Sequence, residues 1–444
     1  MSKLFNINVH IGALKHFVWK LKMKAKLLKP VASGGLFDRR TFLLSGLALS
    51  SAYPLTSIAK TVGTTFPQWM KTPGRDATAY GQPSSHETHI QRHLEKNTPE
   101  TAFFSIWKTP IANQRGIITP SGLHFTTSHN GIPDIDPEKH QLMIHGLVDK
   151  PLKFDVETLL RYPMVSNIHF LECAGNTAPN AVSFTALDQD CQELFGQISG
   201  SEWSGVPLKY LLQEAGLKSS AKWVIVEGAD GGSHARSIPL EKLLDDAIIA
   251  LYQNGERLRP AQGYPMRLFL PGWEGNTNVK WVHRLEVTDK PAFTKDESGL
   301  YSDILADGKI QRFSFHMDVK SVITHPSGKQ VLPEKKGFYE ISGLAWSGHG
   351  KIKQVEVSAD GGLTWAKAHL DQPVLSKSLT RFYIPWQWQG ESTTILSRAT
   401  DEQGNRQPTR DQWREKYASY SFNHYNAIQA WQIDREGVVK NVYA

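Results

Sequence analysis

The strongest constraint on the fold is a change in hydrophobic periodicity near residue 310. Before this point, short apolar strands alternate with segments whose apolar residues recur at helical spacing. After it, strands follow one another with only turns between them. A chain of 444 residues also exceeds what one hydrophobic core usually organises. We therefore expect an α+β chain, with a mixed α/β domain over residues 111–300 and an all-β immunoglobulin-like sandwich over residues 305–444.

In the first half, strands are predicted at residues 140–148, 223–227, 267–270 and 281–287. The clearest predicted helix begins at Pro239 and continues to the Asn254-Gly255 turn. Apolar residues recur in it three or four positions apart, namely Leu240, Leu243, Leu244, Ala247, Ile248 and Leu251.

Two further helices are predicted, one from Asp155 to the residue before Pro163 and one from Pro207 to Gly216. In the second half, Val355 and Val357 alternate with polar residues and run into a turn at residues 359–362. This pattern predicts a hairpin of the sandwich.

The first 59 residues differ from the rest of the chain in charge. They hold nine basic residues and one acid, Asp38, although the whole chain has a net charge of only +7. The remainder has 41 basic and 42 acidic residues, a net charge of −1. The basic character therefore belongs to this leader, and we infer no nucleic-acid partner for the rest of the chain.

Within the leader, Asp38-Arg39-Arg40 precedes a weakly apolar stretch that ends at Ser57-Ile58-Ala59. This order resembles a twin-arginine export signal at residues 1–59, although two adjacent arginines also occur in ordinary surface loops. The apolar stretch is interrupted by polar residues and Pro54, so we expect no membrane anchor in the mature chain. The expected location is the periplasm. Residues 60–110 are expected to form an extended surface arm.

Cysteine is rare in this sequence, since only Cys173 and Cys191 occur. Two cysteines do not make a disulfide framework, and no CxxCH haem-attachment pattern exists. Any electrons released by this chain must therefore leave through another protein. We interpret Cys191 as a buried, unreactive thiol.

Cys173 lies in a different setting, because it follows a predicted strand and precedes a turn of small residues, Ala174-Gly175-Asn176. Such a turn allows a bulky ligand to approach the backbone. A thiolate suits a sulfur-binding metal, and one cysteine is enough if a cofactor supplies the other sulfur ligands. Taken alone, however, a single cysteine is more often an inert core residue.

Residues 172–176 resemble the molybdenum-cysteine motif of the sulfite oxidase family, and other family motifs follow in the family's order. These motifs are at residues 125–130, 227–230, 237–240, 263–267, 271–275 and 278–281, with residues 341–348 and 358–365 resembling its dimerisation domain. The resemblance covers roughly residues 117–430. It implies a molybdopterin-binding sulfite oxidase fold followed by the sandwich.

The resemblance also implies a molybdenum–molybdopterin cofactor with Cys173 as the protein ligand of the metal. Arg267 and Lys280 are the matched cations for the cofactor phosphate. The implied cofactor-binding residues are Ser128, His129, Asn130, Cys173, Asn176, Asp230, Ser237, Gln262, Arg267, Asn278, Val279 and Lys280. Without the other motifs, Arg267 could equally form a surface ion pair and His129 could be a core histidine. Asp230 and Asn278 could equally be turn residues.

The sequence departs from that of sulfite-oxidising relatives at three positions. Those relatives have Arg at the position of Thr127, Tyr at the position of Leu344 and, in animals, His at the position of Gln262. The first two changes are expected to remove a cation and a phenol from the sulfite pocket, which makes free sulfite a doubtful substrate. We consider Arg236, with His234, a candidate catalytic residue that restores the charge; the alternative is a surface loop.

Within the family, the sequence resembles the molybdenum subunits of the Sox sulfur-oxidising system at residues 144–148, 250–257, 343–348 and 423–428. This implies that an oxygen atom derived from water is transferred to the outer sulfane sulfur of a persulfide on a sulfur-carrier protein. The implied partner is a dihaem c-type cytochrome, in a homodimer or heterotetramer. The alternatives are a free sulfite dehydrogenase, a periplasmic molybdopterin reductase, or a non-catalytic binding protein.

Overall fold

The computed structural model describes residues 30–38, 67–95, 104–333 and 335–443. Most of the expected export signal, including Arg39, Arg40 and the apolar stretch after them, lies outside the described residues. So do residues 60–66 and 96–103 of the expected arm. In the parts of the chain that are described, no helix has the length and apolar character needed to cross a membrane.

The first half contains short strands and helices in alternation. The strands are β1 His93–Glu95, β2 Ser105–Lys108, β3 Thr126–Ser128, β4 Gln141–Gly146, β5 Leu152–Asp155, β6 Val165–Glu172, β7 Ile198–Pro207, β8 Trp223–Gly228, β9 Ala235–Pro239, β10 Ile248–Gln253, β11 Glu256–Arg257, β12 Arg267–Phe269, β13 Val282–Thr288, β14 Asp303–Ile304 and β15 Ile310–Gln311. The helices are α1 Val156–Leu159, α2 Ala178–Val182, α3 Cys191–Phe195, α4 Leu208–Ala215, α5 Leu240–Asp245 and α6 Lys295–Gly299.

These strands form mixed sheets packed with helices. One sheet has the order β5-β4-β13-β8-β9, in which β4 and β13 are parallel. A second has the order β11-β10-β7-β6, with β12 also paired to β10, and a third joins β1, β2 and β3. Both α4 and α5 bury leucines against the first two sheets. The expected mixed α/β domain is confirmed.

The second half is a sandwich of two sheets. Its strands are β16 Lys320–His325, β17 Gly337–Trp346, β18 Ile352–Ser358, β19 Ala366–Lys367, β20 His369–Leu370, β21 Thr380–Trp388, β22 Thr393–Asp401, β23 Ala430–Ile433 and β24 Val439–Val442, with helix α7 Arg410–Lys416 between β22 and β23. The sheets have the orders β16-β17-β21-β20 and β19-β18-β22-β23-β24. Trp346, Trp386 and Trp431 are fully buried in their common core. The expected sandwich is confirmed, and so is the predicted hairpin, because Val357 pairs with Ala366.

The long helix expected from Pro239 to residue 254 is wrong. Helix α5 ends at Asp245, and the chain continues as strand β10, which is paired with β7 on one side and with β12 on the other. Because β10 lies between two strands, its successive apolar residues are all buried. Such a continuous apolar run includes pairs spaced three and four residues apart, so in the sequence it resembles the buried face of a helix. The Asn254-Gly255 dipeptide is the turn between β10 and β11, with both residues at positive φ.

The other local predictions agree with the structure. The Asp155 carboxylate accepts a hydrogen bond from the backbone N–H of Thr158 and caps α1, and Gly216 ends α4 at positive φ. In the expected arm, the described residues up to 92 are mostly exposed. From His93, however, the chain pairs into the sheet with β3. The first domain therefore takes in part of the segment that was expected to be an arm.

Candidate functional site

A cavity opens among the loops of the first domain. Strand β3 contributes Thr127 and Ser128, the end of β6 and the loop after it contribute Leu171 and Cys173, and the β8–β9 turn contributes Asp230 and His234. The other lining residues are Phe125, Thr126, His129, Ala261, Gln262, Arg267, Gly275, Asn276, Asn278, Val279, Lys280, Trp281 and Tyr301. The topology thus gathers motifs from distant parts of the sequence onto one wall.

Cys173 presents its sulfur to this cavity and is partly exposed, whereas Cys191 is fully buried in the core. The backbone N–H of Cys173 donates to the carbonyl of Gln197 at 3.0 Å, which fixes the loop after β6. Burial raises the pKa of the Cys173 thiol to about 11, although hydrogen bonds from the Gly175 backbone and the Thr127 hydroxyl act in the opposite direction. A metal ion in the cavity would displace this proton, because the thiolate is the ligand form.

Thr127 lies beside Cys173 and is surrounded by polar partners. Its hydroxyl accepts a hydrogen bond from the side-chain amide of Gln197 at 3.3 Å, and its carbonyl accepts one from the Lys280 ammonium at 3.0 Å. Position 127, where relatives of the family have an arginine, therefore carries the Thr127 hydroxyl with the neutral Gln197 amide beside it. The Lys280 ammonium is bound to the backbone carbonyl of the same residue.

Arg267 and Lys280 form a cationic wall. The guanidinium of Arg267 donates to the carbonyls of Gln262 and Asn278, while its buried Nε has no hydrogen-bond partner. Within the described chain, no carboxylate oxygen lies within 4.0 Å of either cation. Burial lowers the pKa of Arg267 to about 9 and that of Lys280 to about 7.

A buried cation without a carboxylate partner, such as Arg267, is costly unless an anionic group neutralises it. A phosphate fits this wall, and the unpartnered Arg267 Nε is a donor available to it. Nowhere in the residues that the structure describes do three His, Cys, Asp or Glu side chains converge to hold a metal ion. A metal beside Cys173 thus needs further ligands from a cofactor, and the side chains present fit a phosphate-bearing dithiolene group.

A row of aromatic side chains closes another part of the cavity. The rings of His129 and His234 are stacked with centroids 6.1 Å apart, and the Tyr301 hydroxyl lies 3.2 Å from His129 Nε2. Burial, with a contribution from His234, lowers the pKa of His129 to about 4, so its ring is neutral near pH 7. Burial raises the pKa of Tyr301 well above its ordinary value, so the phenol stays protonated.

Sequence reasoning missed Tyr301. It follows helix α6, outside every motif that we considered, and only the folded chain brings it to His129. Conversely, Leu344 is 3% exposed in the sandwich core on strand β17 and does not line the cavity. The expectation that Leu344 replaces a pocket phenol is therefore wrong, because a phenol is present in the cavity at Tyr301.

Arg236 is also placed differently from our expectation of a free catalytic cation. It is fully buried behind the cavity and forms ion pairs with Glu297 at 2.7 Å and Glu274 at 3.0 Å. Its guanidinium lies 4.8 Å from the ring centroid of Tyr301. Two carboxylates neutralise its charge, so Arg236 supports Tyr301 from behind and is neither a surface residue nor a substrate cation.

Of the proposed cofactor-binding residues, Ser128, His129, Cys173, Asp230, Gln262, Arg267, Asn278, Val279 and Lys280 all line the cavity. Asn130, Asn176 and Ser237 do not. Their side chains hydrogen-bond respectively to Asp230, to Glu172 and to the carbonyl of Ala292. They brace the loops that carry the lining residues.

Two families match separate parts of this chain. Residues 129–295 match the family described as "Oxidoreductase molybdopterin binding domain", and residues 311–429 match "Mo-co oxidoreductase dimerisation domain". Curated relatives include an NADH nitrate reductase of Ulva prolifera, 29% identical over 338 residues, which are 68% of this chain and 39% of the relative. That of Solanum lycopersicum is 32% identical, over 67% of this chain and 37% of the relative. The chain thus spans about two fifths of the length of these nitrate reductases.

A solved structure matches far more completely. The crystal structure of the sulfane dehydrogenase SoxCD from Paracoccus pantotrophus is 42% identical to this chain, with a TM-score of 0.83. The match covers 86% of this chain and 98% of that chain. The similarity therefore extends across both domains.

Proposed function

This chain belongs to the sulfite oxidase family of molybdopterin-dependent oxidoreductases, and we propose that it oxidises the sulfane sulfur of a persulfide held on a sulfur-carrier protein. The observation that carries this proposal is the neutral polar surface around Cys173. Thr127, Gln197 and His129 offer hydroxyl, amide and uncharged imidazole groups there. A dianion such as sulfite needs fixed cations, whereas a sulfur atom delivered on a protein does not.

When bound, the molybdenum cofactor supplies a two-electron acceptor and an oxygen atom that comes from water. The residues of this chain have separate roles. Cys173 would hold the metal, with the Thr127 hydroxyl and the Gly175 backbone orienting its sulfur. Arg267 and Lys280 would bind the phosphate through the donors that face the cavity. The Tyr301 hydroxyl and the neutral His129 ring would offer hydrogen-bonding groups to a water molecule in the cavity that Cys173 also lines.

The similarity to a sulfane dehydrogenase across 98% of its chain supports the proposed substrate class. We further propose that electrons pass to a separate c-type cytochrome, because this sequence contains no haem-attachment motif. The match of residues 311–429 to a dimerisation domain supports assembly through the sandwich. The location we propose is the periplasm, reached by twin-arginine export.

Free sulfite is the second candidate, and Tyr301 favours it. Its hydroxyl supplies to the cavity the phenol that we had expected to be absent. The remaining argument against sulfite is Thr127, where a cation is replaced by a hydroxyl.

The two substrates can be separated by measuring cytochrome c reduction with cofactor-loaded chain. We expect kcat/KM for a carrier-bound persulfide to exceed that for sulfite. Introducing the cation by Thr127→Arg should raise kcat/KM for sulfite at least about tenfold, and Thr127→Gln, which adds bulk without charge, should not. A wild-type preference for sulfite would overturn the persulfide proposal and favour the second candidate.

A further inference from the structure

Residues 31–37, which precede the arginine pair of the leader, form a compact turn on the C-terminal sandwich. The backbone N–H of Val31 donates to the carbonyl of Leu36 at 2.8 Å and closes the turn. Gly34 and Gly35 lie at its tip with φ of +75° and +87°. Such left-handed backbone strongly favours glycine.

The turn binds the sandwich through its backbone. Leu36 bridges Trp386 in antiparallel fashion, and the N–H of Phe37 donates to the carbonyl of Pro385 at 3.0 Å. Trp386 Nε1 donates to the carbonyl of Gly34 at 2.7 Å, and the N–H of Ser33 donates to the Thr364 hydroxyl at 2.9 Å. The segment therefore extends a strand edge by β-augmentation.

This edge of β21 is available because β20 pairs only with Phe382 and Tyr383 along it. Leu36 is completely buried and belongs to the same hydrophobic core as Trp386, while Phe37 is 4% exposed and lies 6.1 Å from the ring of Phe338. The two side chains are as buried as the residues of the sandwich itself.

The two glycines fit the sandwich closely. A Cβ atom on Gly34 would lie 2.3 Å from the carbonyl oxygen of Ala359, and one on Gly35 would lie 2.1 Å from that of Gln387. These partners are backbone atoms of the sandwich, which cannot move aside easily. We therefore expect alanine at either position to release the segment while leaving the sandwich sequence unchanged.

We propose that residues 31–37 are a docking peptide that ties the leader to the folded sandwich, and that this contact must be released before an export receptor binds the arginine pair; we call this effect shielding. Arg39 and Arg40 follow Phe37 by two and three residues. A receptor that binds the arginine pair must therefore come close to the docked segment. Only leader that has left the edge of β21 is then free to bind, which slows export and gives time for cofactor insertion. The shielding rests on the proposed twin-arginine route, whereas the docking does not.

Hydrogen exchange of the full chain tests the docking. We expect the amides of residues 31–37 to exchange at least about tenfold more slowly in the wild type than in Gly35→Ala. The control is Gly74→Ala, since a Cβ at Gly74 meets nothing within 4 Å, and it should behave as the wild type. Equal exchange in wild type and Gly35→Ala would overturn the docking.

Pulse-chase export in intact cells tests the shielding. Gly35→Ala should reach the periplasm at least about twofold faster than the wild type, and Gly74→Ala at the wild-type rate. If Gly35→Ala is exported no faster although its segment is released, the shielding is wrong. Replacing Arg39 and Arg40 by lysine should stop export; continued export of that variant would contradict the twin-arginine route and the shielding together, and leave the docking standing.

Discussion

Lys320 Nζ lies 3.1 Å from Glu172 Oε1, and this buried ion pair joins the two domains directly behind Cys173. Both side chains are at most 2% exposed. The second oxygen of Glu172 accepts a hydrogen bond from Trp346 Nε1 at 2.6 Å, and Asn176 donates to the first at 2.9 Å. The sandwich therefore anchors the residue that immediately precedes the proposed metal ligand.

Lys320→Met should destabilise the protein by about 3–5 kcal/mol, because it leaves the Glu172 carboxylate buried without its cation. The measurement is the free energy of unfolding in urea. Lys309→Met is the matched control, since Lys309 pairs with Asp307 at the surface and should contribute less than about 1 kcal/mol. Equal effects of the two substitutions would show that the pair between the domains is not important for stability.

Cys173→Ser should abolish activity and remove the molybdenum–thiolate signal from X-ray absorption spectra of the loaded protein. We expect a loss of more than about 100-fold, since a hydroxyl at this position is a far poorer ligand for a soft metal. Cys191→Ser is the matched control, because Cys191 is fully buried in the core, where its thiol donates to the carbonyl of Ile323 at 3.8 Å. It should keep the signal even if stability falls. Retention of the signal by Cys173→Ser would refute the assignment of the ligand.

The sequence predicted the part of this site that is carried by local motifs. Cys173, Arg267 and Lys280 lie in short segments with recognisable neighbours, and the structure places all three on one cavity. Tyr301 and Gln197 belong to no such segment, and their positions depend on how separate loops pack. Leu344 was misassigned for the same reason, since its strand lies in the sandwich core and not at the cavity.

The fold was predictable where periodicity and turn residues agree. The helix that ends at Gly216 and the hairpin at residues 359–362 satisfy both criteria. Strand β10 does not show the alternating periodicity of a strand, because burial between two neighbouring strands produces a continuous apolar run. The Asn254-Gly255 dipeptide was the available signal, since it favours a two-residue hairpin turn between strands.

Tyr301→Phe should lower kcat by roughly 10-fold to 100-fold without changing the molybdenum content, because it removes the hydroxyl beside His129 and leaves the ring over Arg236 in place. Steady-state assays with both sulfur substrates, together with metal analysis, measure the effect. Tyr420→Phe makes the same chemical change at a side chain that is 62% exposed, and it should be silent. An unchanged kcat in Tyr301→Phe would show that the Tyr301 hydroxyl takes no part in the reaction.

His424 links the C-terminal segment to the loop of Cys173. Its backbone N–H donates to the carbonyl of Ala174 at 2.9 Å, and its Nε2 lies 3.3 Å from the Glu274 carboxylate and 3.9 Å from that of Asp303. Burial alone would lower the pKa of His424, but these carboxylates outweigh it and raise the pKa to about 9. The imidazolium is therefore the form that stabilises this contact.

Because the folded-state pKa of His424 lies above its ordinary value of 6.5, its stabilisation is complete below about pH 6.5 and is lost as the pH rises through about 9. The loss should be roughly 3 kcal/mol. His424→Asn removes the charge but tolerates the positive φ of 55° at this position. The free energy of unfolding, measured from pH 6 to pH 10, should therefore differ between wild type and variant at low pH and converge at high pH. A difference independent of pH would mean that the imidazolium is not what holds the segment.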